Sequence, residues 1–256
     1  MGLYRSSHGA PQALNPGSWY AAIGGGAQAL TGVYAQRAGF PLPVLTPANL
    51  APISLMKNDA YQNDEADNLK TMLSDRLKLS YQTFSDISVQ GLSAALSGCR
   101  VLLIPELEKE GMFAALSAES RSLLQYFVGG GGHMLLFYGS TGETSSISLL
   151  NLFGLNVTAG ADASSKTLKK VDAPQIPNLP ADLPATLTGY SATNALVCPS
   201  SGPAQPLYVD EVGNPVVVSF PYGNGRVSYL GWDWYGDVPT AQQADWERVL
   251  QGLMNV

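Results

Sequence analysis

From Pro52 onward the spacing of apolar residues switches repeatedly between a period of two and a period near 3.6, as alternating strands and helices require. Ile53-Ser54-Leu55-Met56 reads as a short strand, and Asn63 or Asp64 is placed to cap the helix that follows. Glu65 and Asp67 fall in the first turn of that helix, where negative charge complements the dipole. Ala66, Leu69, Met72, Leu73 and Leu77 share one helical face, and Leu79 to Phe84 alternates as a strand. Val89 to Leu96 is a short helix, and Arg100 to Ile104, closed by Pro105, has the continuous apolar character of a buried parallel strand. Ser117 caps a helix bearing Leu123, Leu124, Phe127 and Val128, with Gly129 to Gly132 as its stop. Met134 to Tyr138 is the next buried strand and Ser146 to Phe153 another helix, ended by Gly154.

The second half is less regular. Residues 155–205 hold six prolines and no sustained period, which predicts a stretch looping over an edge or face of the sheet. Leu207 to Val212 and Pro215 to Phe220 flank Gly213-Asn214 as a hairpin, and Gly223-Asn224-Gly225 turns into a strand from Arg226 to Trp232. The last helix opens on Thr240 and Gln243, spaced as a capping box, and carries Trp246, Val249, Leu250 and Leu253 on one face. Strands alternating with helices predict an α/β fold: a mostly parallel sheet with helices on both faces and a C-terminal antiparallel hairpin.

Composition changes this picture at the N-terminus. Residues 1–50 contain eight glycines, five prolines and two charged side chains, Arg5 and Arg37, leaving a net charge of −8 on the other 206 residues. Disordered leaders are usually rich in charge, whereas this segment has Trp19, Tyr20, Tyr34 and Phe40 to bury. The expected division is an extended N-terminal arm over 1–50 that uses these four aromatics as an interface, and one α/β domain over 51–256. Charged residues make up 13% of the whole chain, about half the usual share, so its surface suits contact with other protein subunits in an oligomer or larger assembly. The overall charge of −6 argues against nucleic acid or an anionic membrane as partner. No run approaches the ~18 to 20 apolar residues of a membrane span, and no basic segment followed by an apolar one marks a signal peptide.

Reactive groups are few: Cys99, Cys198, His8 and His133. Their spacing fits no zinc site, a disulfide between the cysteines stays open, and no cofactor motif is present. Asp59, Asp64, Glu65 and Asp67 lack the spacing of a calcium loop and read as a helix N-terminus, so no metal is expected.

Two blocks, Ala95 to Pro105 and Leu116 through Gly132, together with Gly223 to Trp232, resemble the class I glutamine amidotransferase-like superfamily of flavodoxin-like α/β domains. The resemblance runs from Ile53 to Asn255. It implies a nucleophilic cysteine in the turn after Met134–Tyr138 and a partner histidine after the last core strand. This chain has Gly139-Ser140-Thr141-Gly142 and Gly231-Trp232-Asp233-Trp234 at those places, with neither residue. Ser140 lacks the glycine-flanked elbow of a nucleophilic serine, and His133 lies seven residues earlier on the same strand, ~23 Å away at ~3.3 Å per residue. A base must reach within about 3 Å of its nucleophile, which His8 could do only if the arm folded across the site.

The resemblance thus implies a scaffold that has lost catalysis and serves as a structural or binding part of a cell-surface structure or virus particle. Doubly wound sheets place ligands at the carboxyl ends of their strands. Loops there are expected to present Asp59, Glu106, Glu108, Ser140, Thr141, Asp233, Trp234 and Tyr235. Carboxylates beside aromatics suit a glycan, and a pair ~5 to 9.5 Å apart would suit glycosidic hydrolysis. Carbohydrate binding and a carboxylate hydrolase are therefore the alternative expectations, set against the plainer one that Glu106 and Asp233 accept hydrogen bonds from loop amides while Trp232 and Trp234 pack under the last helix.

Overall fold

The computed structural model describes residues 52–254 apart from 110, 140–143 and 235–239, with side chains 240 and 241 also undescribed. Of residues 1–51 it describes only the backbone of six short strands. These pair antiparallel as β1 (Tyr4–Ser7) with β2 (Gly9–Ala13), β3 (Tyr20–Ile23) with β4 (Gly26–Ala29), and β5 (Tyr34–Arg37) with β6 (Phe40–Pro43). The side chains of Trp19, Tyr20, Tyr34 and Phe40 lie outside the described residues.

The α/β domain begins at β7 (Ile53–Met56), followed by α1 (Glu65–Thr71), which widens into a π-helical turn over Met72–Arg76. Then come β8 (Tyr81–Phe84), α2 (Val89–Leu96), β9 (Val101–Ile104), α3 (Met112–Ala115), α4 (Ala118–Gly129), β10 (His133–Phe137) and α5 (Ser145–Asn151). Ser88 and Ser117 cap α2 and α4 by accepting the N–H groups of Gly91 and Ser120 at 3.2 and 3.0 Å. Asp64 precedes α1 without a side-chain capping bond, so the cap expected from Asn63 or Asp64 does not form. α4 stops where Gly131 adopts a φ of +118°, open to glycine and strained for other residues.

One nine-stranded sheet runs through the domain in the order β13-β12-β15-β16-β17-β10-β9-β7-β8. Its β8-β7-β9-β10-β17 half is parallel, and by rank among those five strands it reads 2-1-3-4-5, a doubly wound order. The other half is antiparallel: β12 (Thr167–Lys170), β13 (Thr186–Thr188), β15 (Gln205–Val209) and β16 (Pro215–Tyr222), which joins β17 (Gly225–Leu230) through the expected Gly223-Asn224 turn. Residues 155–205 are therefore not a loop over the sheet. They extend it by two strands and add a separate ribbon of β11 (Thr158–Asp162) with β14 (Asn194–Val197). The single hairpin expected at the C-terminus is one step in a four-stranded antiparallel edge.

Alternation along the strands sorts the core into two faces. Leu103, Leu135 and Phe137 point to one side with Leu69, Met72 and Leu73 of the first helix and Trp246, Val249, Leu250 and Leu253 of α6 (Thr240–Met254). Leu102, Ile104, Met134 and Leu136 point to the other with Leu92 of α2, Leu124 of α4 and Leu149 of α5. Helices thus cover both faces, and each fully buried leucine or isoleucine contributes about 1.5–3 kcal/mol. Among the described residues no helix is long and apolar enough to cross a membrane.

Candidate functional site

The chain reverses direction across the sheet between β7 and β9, and the loops leaving these two strands face each other at their carboxyl ends. The first loop runs from Lys57 to the start of α1 and delivers Glu65. The second, after Ile104, delivers Glu106 and Glu108. Backbone pairing zips them together: Lys109 N–H donates to the Tyr61 carbonyl at 3.2 Å, and Lys109 Nζ donates to the Asp59 carbonyl at 2.9 Å.

Glu65, Glu106 and Glu108 thereby converge, one carboxylate oxygen from each lying within 4.8 Å of the others. Glu65 and Glu106 are 0% exposed and Glu108 is half-buried. Asn63 bridges the group: its N–H donates to Glu65 Oε2 at 3.0 Å and its Nδ2 donates to Glu108 Oε2. Glu106 Oε1 accepts the Gly139 N–H at 3.0 Å from the end of β10. Burial pushes the Glu65 carboxyl up to about 7, and the negative charges of Glu108 and Glu106 push in the same direction. Glu65 Oε1 has no hydrogen-bond partner among the described residues, nor has Gln62 Nε2 on the same loop, although both side chains are buried.

Gly139 is placed by contact as well as by hydrogen bonds. A Cβ there would lie 2.4 Å from Asp233 Cβ and 2.7 Å from the Ala192 carbonyl, so only glycine lets β10 end against the loop after β17. Its own carbonyl accepts from Asn194 Nδ2.

The residues singled out in the sequence divide accordingly. Glu106 and Glu108 meet, as members of one cluster. Asp59 is exposed and lines a neighbouring open cleft with Lys57, Asn58, Thr83 and Ser85. Ser140, Thr141 and Tyr235 lie outside the described residues. Asp233 and Trp234 are not presented to solvent, being only 3% exposed each. Trp234 lies 4.2 Å from Trp232 between ring centroids and meets Phe137 edge-on at 5.8 Å, while Trp232 reaches Trp246 of α6 at 5.4 Å. A φ of +66° at Trp234 turns its ring inward. The stacking platform expected for a sugar is thus part of the core. Glu65, read from sequence as a dipole-complementing residue, is the member that was missed. The signal lay in topology: strand order 2-1-3 sets the start of the first helix opposite the turn after the third strand.

The two thiols and the imidazole of His133 are elsewhere, and His8 lies outside the described residues. Cys99 is buried before β9 and Cys198 half-buried after β14, both free. Burial pushes each thiol up to about 11. His133 opens β10 at the opposite end of the sheet, 2.7 Å from Ser228 Oγ, which in turn bonds Ser219 Oγ. Burial first, and then the charge of Arg226, lower its pKa to about 3.

No protein-family model matches this chain, and no curated protein sequence matches it. Solved structures do. A ThuA-like protein from Bacteroides uniformis ATCC 8492 is similar over 82% of this chain and 93% of its own, at 14% identity and a TM-score of 0.54. The mmIFT52 N-terminal domain is similar over 79% of this chain and 97% of its own, at 18% identity and a TM-score of 0.53. The β-galactosidase from Bacillus circulans sp. alkalophilus matches 80% of this chain at 13% identity and a TM-score of 0.51, and the chain spans 31% of that enzyme's length. At such identities the likeness is one of fold: a mixed α/β domain whose central sheet is parallel on one side.

Proposed function

We propose that this chain is a non-catalytic domain of the flavodoxin-like, class I glutamine amidotransferase-like kind. It serves as a structural or binding component of a larger assembly such as a cell-surface structure or virus particle, with residues 1–50 making contacts between subunits. The observation that carries this reading is where the reactive groups stand. Among the described residues, both thiols are held protonated by burial and stand outside the turn after β10, and the imidazole of His133 is bonded to Ser228 at the amino end of that strand. A thiolate–imidazole pair needs the two within hydrogen-bond reach and a thiol pKa near or below neutrality. The low charge of the chain and the aromatic content of its first 50 residues support protein contact as the alternative use of its surface.

The experiment is a solution mass by light scattering for the full chain and for a chain lacking residues 1–50, each checked by circular dichroism. The full chain is expected to form oligomers and the shortened one to be a folded monomer. An identical subunit number in both would overturn the role given to the arm.

A further inference from the structure

We propose that Glu65, Glu106 and Glu108 form a binding site for a hard divalent cation of the Ca2+, Mg2+ or Mn2+ class, which ties the start of α1 to the loop after β9. This goes beyond the assembly role and does not depend on it.

The geometry comes first. The three carboxylates offer oxygens within 4.8 Å of one another. Oxygens sharing one Ca2+ ion at 2.3–2.6 Å can be no more than about 5 Å apart, and each pair among the three carboxylates falls inside that limit, so a small inward movement of the side chains would seat one ion among them. The second observation is the state of Glu65. It is 0% exposed, sits against the other two carboxylates, and keeps Oε1 without a hydrogen-bond partner among the described residues. A buried carboxylate oxygen left this way costs several kcal/mol unless a proton or a cation satisfies it.

The cations close by in sequence are engaged elsewhere. Lys57 Nζ pairs with Asp67 at 2.6 Å, Lys70 Nζ with Asp67 at 2.9 Å, and Lys109 Nζ donates to a backbone carbonyl. The donors seated on the cluster from Asn63 and Gly139 are neutral N–H groups that orient carboxylates without cancelling their charge. The chemistry of the donor set is all oxygen, with neither imidazole nor thiolate, which selects hard ions over zinc or copper. Such an ion would bind at the switch point of the sheet and fasten the two loops that meet there.

The test uses the full chain after chelation and dialysis. Bound Mn2+ is counted by electron paramagnetic resonance, and melting temperature is followed with Ca2+, Mg2+ or Mn2+ at constant ionic strength. The expected result is one Mn2+ per chain with a dissociation constant below about 1 mM, and a saturable rise in melting temperature with at least one of the three ions. Glu65→Gln and Glu108→Gln should each weaken Mn2+ about tenfold or more, while Glu211→Gln, on an exposed turn, should leave it unchanged. Glu65→Gln is chosen because a carboxamide has nearly the same volume as the carboxyl and carries no charge into a buried place, so the variant should fold. Its melting curve without metal verifies this. Absence of saturable Mn2+ binding, or equal binding by Glu65→Gln, would overturn the site; a folded Glu65→Gln with raised stability and an untouched wild-type metal response would assign the cluster to proton sharing instead.

Discussion

Acidification should destabilise this protein through His133 as well as through its hydrogen-bonded carboxylates, and the size of the His133 effect can be worked out. His133 opens β10 opposite Arg226 of β17, is 5% exposed, and bonds through Nε2 to Ser228. Burial, then the Arg226 charge, lowers its pKa from 6.5 to about 3. The native ring therefore stays neutral over a range in which the unfolded chain takes up a proton. With more protons bound in the unfolded state, stability falls as pH falls, by up to about 1.4 kcal/mol per pH unit. Between pH 6.5 and pH 3.5 the loss from this group approaches about 4 kcal/mol, a large share of the ~5–15 kcal/mol that holds a typical domain folded.

Glu65 works against this in the raw data. Its carboxyl is pushed from 4.5 up to about 7, so the native state keeps a proton that the unfolded chain has released. That contribution is fully present below pH 4.5 and is lost as pH rises toward 7. From about pH 4.5 to 6.5 these two slopes oppose each other, so the wild-type curve alone does not isolate His133. The informative quantity is the difference from His133→Gln, whose amide can still reach Ser228 and does not titrate. Urea unfolding of both proteins, in chelator, from pH 7.5 to 3.5 should show wild type losing about 4 kcal/mol relative to the variant, nearly all of it below pH 6.5. A difference that stays constant with pH within about 0.5 kcal/mol would refute the claim that His133 is buried and neutral.

Two further outcomes follow from the same structure. Trp234→Ala should lower the melting temperature by about 6–20 °C, because it empties a core position worth about 3–5 kcal/mol; an unchanged melting temperature would mean that the indole is outside the Trp232–Phe137 stack. Thiol labelling with a disulfide reagent at pH 8 should modify Cys198 slowly and Cys99 only on unfolding, since burial pushes both thiols up to about 11 and leaves roughly one in a thousand as thiolate; rapid labelling of Cys99 in the native protein would contradict its burial.

The parallel half of the sheet was legible because β7, β9 and β10 are buried on both faces and the helices between them carry apolar stripes. Val101 to Ile104 and Met134 to Tyr138 stand out as unbroken apolar runs, and Ser117 with Gly129 to Gly132 bracket α4 by local chemistry alone. The antiparallel edge had no such signal. β12 offers one fully buried residue, Leu168, and β13 one, Leu187, and these are register partners across the sheet. A strand that buries a single leucine between threonines and lysines shows too little alternation to be told from a loop. Its identity is set by pairing with a strand nearly twenty residues away.

The candidate site shows the same division between local and non-local information. Sequence placed Glu106 and Glu108 at the right edge of the sheet, since a residue two or four positions past a buried parallel strand must lie near its carboxyl end. It offered Trp234 there too, by the same rule, with packing under the last helix as the other reading, and the indole is buried. The left-handed backbone at Trp234 and the close packing of Asp233 on Gly139 fold that loop back into the core. Glu65 shows the converse. Nothing around it distinguishes it from the many glutamates that open helices, yet it is buried against two other carboxylates because the chain reverses across the sheet between β7 and β9. A helix dipole explains an acid at an exposed helix start, where water shares the charge; it does not explain a buried acid facing like charges. What surrounds Glu65, whose Oε1 has no hydrogen-bond partner among the described residues and which lies beside buried Glu106 and half-buried Glu108, is set by how the two loops meet and not by its neighbours in sequence. That is why the residue contributing most to the chemistry of this site looked, in the sequence, like an ordinary helix start.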